Sequence, residues 1–249
     1  MYVKTWGDGP AAYFGIHGWS GNYKTFAGIS RLMPEGATFH SVDLPGYGNS
    51  PPPERWTADE LTGALMETIA ELPQQKLTIV GNCSGAILGL FVAQRLPERI
   101  ERMVLIDPFA YVPWYFGLFL RGEFGLRAYR STFASPIGRW ITNRALSSRR
   151  TSDSDLTRSF GFVDHDVSHR YLQLLGSLGD PKQFAGLTMP IDILYGEKTF
   201  GAVKSSVRIW QDIWPQAKAY ELPGAGHLPL QEAAARVAGI VFHREPSDL

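Results

Sequence analysis

The chain has 249 residues, of which 24 are basic and 24 acidic, so its formal net charge is zero. With 44% hydrophobic and 19% charged residues it can bury a substantial core, and it shows none of the basic patch or stripe that marks a nucleic-acid footprint. A single cysteine, Cys83, excludes an intramolecular disulfide and a thiolate zinc cage.

The N-terminus, Met1-Tyr2-Val3-Lys4, lacks the charged and apolar regions of a signal peptide. The most apolar stretch, residues 111–120, is far short of the roughly 20 residues that span a bilayer. A soluble, cytoplasmic protein is the expectation, with disorder confined to residues 245–249. Short apolar runs at residues 12–16, 38–42, 77–80, 103–106 and 191–195 read as buried parallel strands, each bounded by Gly, Pro or Asp. Residues 219–222 form a last strand. Helical patterns lie between them, at residues 23–33, 58–72, 85–96, 203–214 and 230–242. Thr57-Ala58-Asp59-Glu60 resembles a capping box, and Pro73 and Pro97 mark helix ends. Strands alternating with helices imply an α/β domain with a mostly parallel sheet. The rhythm breaks over residues 108–187, a stretch rich in aromatics and arginines. It reads as a helical lid or cap inserted in a single domain, leaving the sheet at the carboxyl end of a strand, where α/β sheets place their sites.

The chemistry centres on Gly81-Asn82-Cys83-Ser84-Gly85, which follows one strand and opens a helix. This is the G-x-S-x-G elbow pattern with cysteine in the nucleophile place. A thiolate there is favoured by the helix N-terminus and by a neighbouring histidine. The ordinary alternative is a small buried core cysteine, and the strand–turn–helix setting argues against it. Ser84 sits one place late, where its N–H serves an oxyanion instead.

Taken with three further segments, the chain resembles the α/β-hydrolase superfamily along nearly its whole length. His17-Gly18-Trp19-Ser20-Gly21 resembles the family's oxyanion-hole segment. Asp43-Leu44-Pro45-Gly46-Tyr47-Gly48-Asn49-Ser50 resembles the turn after its fourth strand. Gly224-Ala225-Gly226-His227-Leu228-Pro229 resembles the segment carrying the catalytic histidine. The resemblance implies an α/β-hydrolase fold, with His227 as base and backbone N–H groups of Trp19 and Ser84 as the oxyanion hole. The cysteine elbow is similar to that of dienelactone hydrolases, polyhydroxyalkanoate synthases and some cysteine thioesterases. His17 is expected to support its loop, and His40 and His243 to be structural.

The acid departs from the family pattern. Gly196-Glu197-Lys198-Thr199 puts threonine where the usual aspartate stands, and threonine cannot carry the charge that orients an imidazolium. Asp107, after the preceding strand, keeps the chain order nucleophile, acid, histidine. Glu197 and a bare Cys–His dyad are the alternatives. These residues imply an esterase, thioesterase or lactonase working through an acyl-cysteine, with acyl transfer as an alternative. A catalytically inactive binding protein is a further alternative, motivated by Thr199. The substrate is expected to be a small acyl compound, possibly a carrier-bound thioester. Arg121, Arg127 and Arg130 are available for an anionic handle, with solvated surface as their ordinary role. No cofactor is implied. No metal is implied either, because His165 and His169, four apart, lack a third ligand.

Overall fold

The computed structural model describes residues 1–243; the disorder expected at residues 245–249 lies outside them. Seven strands form one sheet: β1 (Val3–Gly7), β2 (Ala11–Ile16), β3 (Ala37–Val42), β4 (Leu77–Asn82), β5 (Ile100–Ile106), β6 (Ile191–Gly196) and β7 (Lys218–Leu222). The principal helices are α1 (Ala58–Ala70), α2 (Ser84–Arg95), α3 (Gly122–Tyr129), α4 (Pro136–Ala145), α5 (His165–Leu175), α6 (Gly201–Ile213), α7 (Pro229–Glu232) and α8 (Ala234–Val241). The spatial order of strands is β1-β3-β2-β4-β5-β6-β7. β1 is antiparallel to β3, and the other neighbours are parallel.

Successive strand residues face opposite sides of a sheet, and both sides are covered here. Ile79, Leu105 and Ile193 enter one core with Leu61, Leu65 and Ile69 of α1 and Val207 and Trp210 of α6. Val80, Val104, Ile106 and Leu194 enter the other, with Ile29 and with Val237, Ala238 and Val241 of α8. This two-sided burial is why the strands read as unbroken apolar runs. Helix α2 buries ten of its twelve residues, which explains its nearly all-apolar sequence.

Four departures from the sequence reading have local causes. β1 was not anticipated, because Lys4, Thr5 and Gly7 are exposed on an edge strand and leave no apolar run. The helix expected over residues 23–33 is a 3₁₀ turn, Tyr23–Phe26, and one α turn, Ala27–Ser30. The helix expected over residues 230–242 breaks at Ala233, whose φ of −143° is not helical. Thr57 caps α1 by accepting the Glu60 N–H at 3.2 Å. Glu60 does not complete the box, since its carboxylate accepts the Glu54 and Arg55 N–H groups.

Between β5 and β6 the chain runs through α3, a π-helical turn at Arg130–Ala134, α4, α5 and short 3₁₀ turns. Tyr129, Phe133 and Phe160 form a small core of its own. That core closes on Trp19, whose ring centroid is 5.1 Å from Phe133 and 4.7 Å from Phe160. This segment between β5 and β6 is thus seated on the loop after β2. Among the described residues no helix is long and apolar enough to cross a membrane.

A buried ion pair ties the sheet to the last helix. Arg102 Nε lies 2.7 Å from Asp192 Oδ2, and its other nitrogens donate to Val241 O and Ile240 O at 2.8 Å. Removing one partner strands a buried charge, which costs about 3–5 kcal/mol. Asp192→Ala is therefore expected to lower unfolding free energy by that amount in urea titration followed by circular dichroism. A loss under about 1 kcal/mol would assign the pair the weight of a surface bridge.

Candidate active site

The site forms at the carboxyl ends of β2, β4, β5 and β6. At the elbow, Cys83 has φ 51° and ψ −117°, outside the regions favoured by side-chain-bearing residues. The chain can turn so sharply because Gly85 lets α2 approach β2: a Cβ there would lie 2.2 Å from Ile16 O. The turn is held by the Cys83 N–H, which donates to Ile106 O at 2.8 Å. It leaves Cys83 partly exposed.

His227 lies in the loop between β7 and α7, its side chain 16% exposed. Its Nδ1 is 2.7 Å from Asp107 Oδ2, and Cys83 lies close enough to the same imidazole to influence its titration. Burial alone would lower its pKa. The Asp107 hydrogen bond and charge, with Cys83 nearby, outweigh that and push it up to about 10. The contribution of these contacts is therefore complete below the ordinary histidine value of about 6.5 and is lost as pH rises through about 10. Phe109 and Phe200 flank the ring at centroid distances of 5.7 and 4.7 Å.

Asp107 is fully buried at the end of β5 with φ 47°. Its N–H donates to Leu194 O at 2.8 Å. Its Oδ1 accepts the Gly196 N–H at 3.0 Å, and its Oδ2 accepts the Thr199 hydroxyl as well as His227. Thr199 Oγ1 is also 3.2 Å from His227 Nδ1. Threonine at the usual acid position thus supports the carboxylate standing one strand away. Glu197, the alternative acid, is exposed and accepts the Gly224 N–H at 2.7 Å. It does not meet His227.

Gly18 abuts the elbow, since a Cβ on it would sit 2.9 Å from Cys83 Cβ. Trp19 and Ser84 follow Gly18 and Cys83 directly, which brings their N–H groups to the elbow. The loop is held from below by His17, whose Nε2 accepts the Leu44 N–H at 3.0 Å and whose Nδ1 donates to Gly18 O at 2.8 Å. Burial pushes the His17 pKa down to about 4, so it stays neutral and structural. From above, Trp19 Nε1 donates to Ser168 O at 2.8 Å, and Ser20, at φ 62°, pairs with Ser159 Oγ at 2.7 Å.

The remaining candidates lie elsewhere. His165 Nδ1 is 3.2 Å from the Tyr129 hydroxyl and His169 Nε2 donates to Phe119 O at 2.8 Å, so the two have different partners. Among the described residues no three His, Cys, Asp or Glu side chains converge as metal ligands. Arg130 forms an exposed ion pair with Asp166. His40 bridges Thr5 and Gln74. Glu232, which no motif singled out, accepts N–H groups on both sides of His227.

This arrangement of elbow, histidine loop and sheet accompanies a match over residues 15–240 to the model of the alpha/beta hydrolase family. The chain belongs to that family. A curated relative, the pimeloyl-[acyl-carrier protein] methyl ester esterase of Chromobacterium violaceum, is 25% identical over 244 residues, covering 92% of this chain and 91% of its own. Among solved structures, the enol-lactonase of Burkholderia xenovorans LB400 superposes with a TM-score of 0.77 at 18% identity, over 98% of this chain and 96% of the other. A thermophilic esterase from Thermogutta terrifontis superposes with a TM-score of 0.79 at 18% identity, over 97% and 91%. At such identities these structures establish a shared fold, and the reaction must be argued from the site.

Proposed function

We propose that this alpha/beta hydrolase is an esterase-type enzyme that cleaves an ester, thioester or lactone through Cys83, His227 and Asp107. The observation that carries the reading is His227, bonded to a fully buried carboxylate and standing beside the elbow cysteine. The Cys83 thiolate attacks the carbonyl carbon, and the carbonyl oxygen takes the negative charge beside the Trp19 and Ser84 N–H groups. Collapse breaks the bond to the leaving alcohol or thiol, which takes its proton from the His227 imidazolium. A water molecule then gives a proton to His227 and attacks the acyl-cysteine. The acid product leaves and the thiolate is restored. Asp107 holds the imidazole tautomer and stabilises its charge.

Thiol nucleophiles exchange acyl groups readily with other thiols, so acyl transfer to an acceptor other than water is the second reading. The name of the Chromobacterium relative, a carrier-protein methyl ester esterase, favours a carrier-bound acyl ester as the substrate. The inactive-binder reading drew on Thr199, and the bond from His227 to Asp107 supports the enzyme instead. The test is intact-protein mass spectrometry after incubation with acyl thioesters, methyl esters and lactones. An acyl adduct on the wild type that is absent from Cys83→Ala is expected. Turnover without any Cys83-dependent adduct or alkylation would overturn the cysteine mechanism.

A further inference from the structure

Glu232 closes α7, five residues beyond His227, and its two oxygens serve different parts of the chain. Oε2 accepts the N–H groups of Gly226 at 2.6 Å and Leu228 at 3.3 Å, the immediate neighbours of the histidine. Oε1 accepts the Thr151 N–H at 2.8 Å and the Ser154 hydroxyl, both in the segment where the insertion passes the histidine loop. Arg149, in the same segment, takes the His227 N–H on its carbonyl at 2.8 Å, and its Nη1 donates to Thr199 O at 3.2 Å. The two backbones touch closely, for a Cβ on Gly226 would lie 2.2 Å from Arg149 O.

A Gly-rich loop has little of its own to hold a side chain in place. Its inward N–H groups must find acceptors, and a carboxylate gives stronger bonds than a neutral acceptor. All of Glu232's partners act as donors, so both oxygens must accept. Only a carboxylate can do this, because an amide presents an acceptor to one side alone.

We infer that Glu232 is a positioning residue that clamps the His227 loop to the insertion and so fixes the imidazole between Asp107 and Cys83. The inference rests on the Cys83–His227–Asp107 reading. In its light the residue 149–154 part of the insertion is a fixed wall of the catalytic centre, whatever its other parts do. Displacing a catalytic group by about 1 Å costs on the order of 10²-fold in rate.

The test is Glu232→Gln in the full chain. The rate of Cys83 alkylation by iodoacetamide is measured from pH 5 to 10, with kcat and KM for an activated ester. In Glu232→Gln the alkylation rate at neutral pH is expected to fall and kcat to fall about 10–100-fold, with KM within twofold. Ser154→Ala, which removes one donor and leaves the charge, is expected to shift both in the same direction by less. If Glu232→Gln does not melt cooperatively, Ser154→Ala is read alone by the same criteria. A folded variant whose alkylation profile superimposes on the wild type would overturn the clamp. A wild type that alkylates as a free thiol at every pH would instead remove the Cys–His pair, and the role assigned to Glu232 with it.

Discussion

Cys83→Ala is expected to lower kcat for an activated ester by about 10⁵–10⁶-fold, the scale that follows loss of a nucleophile. The methyl group that remains cannot attack, while the neighbouring Trp19 and Ser84 N–H groups and the flanking rings of Phe109 and Phe200 are untouched. Residual turnover by binding and oxyanion stabilisation would therefore still exceed the uncatalysed rate. Cys83→Ser is the informative companion. It keeps the elbow but removes the thiol, which is among the groups that raise the His227 pKa to about 10. Serine would then need His227 neutral, and its activity should rise with pH where the wild type is flat. A kcat for Cys83→Ala within tenfold of wild type would show that the elbow is not the nucleophile.

Asp107→Asn is the second large effect, expected at about 10²–10³-fold in kcat. That is less than the roughly 10⁴ reported for the equivalent change in a serine triad, because a thiolate and an imidazolium stabilise each other without the acid. The asparagine amide also offers His227 Nδ1 a donor where a carboxylate accepted, which favours the wrong tautomer. Thr199 supplies the control. Its Oγ1 is 3.2 Å from His227 Nδ1, so a carboxylate there is within reach of the ring. Thr199→Asp in the Asp107→Asn background is expected to recover at least tenfold of the loss in steady-state assays. Thr199→Asp alone should impair the enzyme, because two carboxylates at hydrogen-bond distance cannot both stay ionised. No recovery in the double variant would mean that the acid acts only from β5.

Much of this architecture could be read from the residue order. The runs that became β2 to β6 are apolar because both faces of the sheet are covered, and that leaves a clear mark. The elbow and the histidine loop carry short motifs whose glycines answer to local backbone contacts. Chain order left Asp107 beside Glu197 and a bare dyad as candidate acids, and the bond from His227 to Asp107 exists only once the sheet is assembled. What Thr199 does was hidden, because its bond to Asp107 depends on β5 and β6 lying side by side, 92 residues apart in the chain. Glu232 was hidden for a related reason, since it works through backbone N–H groups that any sequence provides. β1 was hidden because its exposed edge leaves no apolar run, and the break at Ala233 because it rests on one backbone angle.

Three residues with side chains hold left-handed backbone angles around this one centre: Ser20, Cys83 and Asp107. Each such angle costs on the order of 1–3 kcal/mol, against a total stability of about 5–15 kcal/mol for a folded domain. These angles thus set a stability cost at the centre where the proposed reading puts Cys83 and Asp107. Under that reading heat resistance and activity pull in opposite directions here, and a variant that has lost its activity has no reason to be the one that melts first.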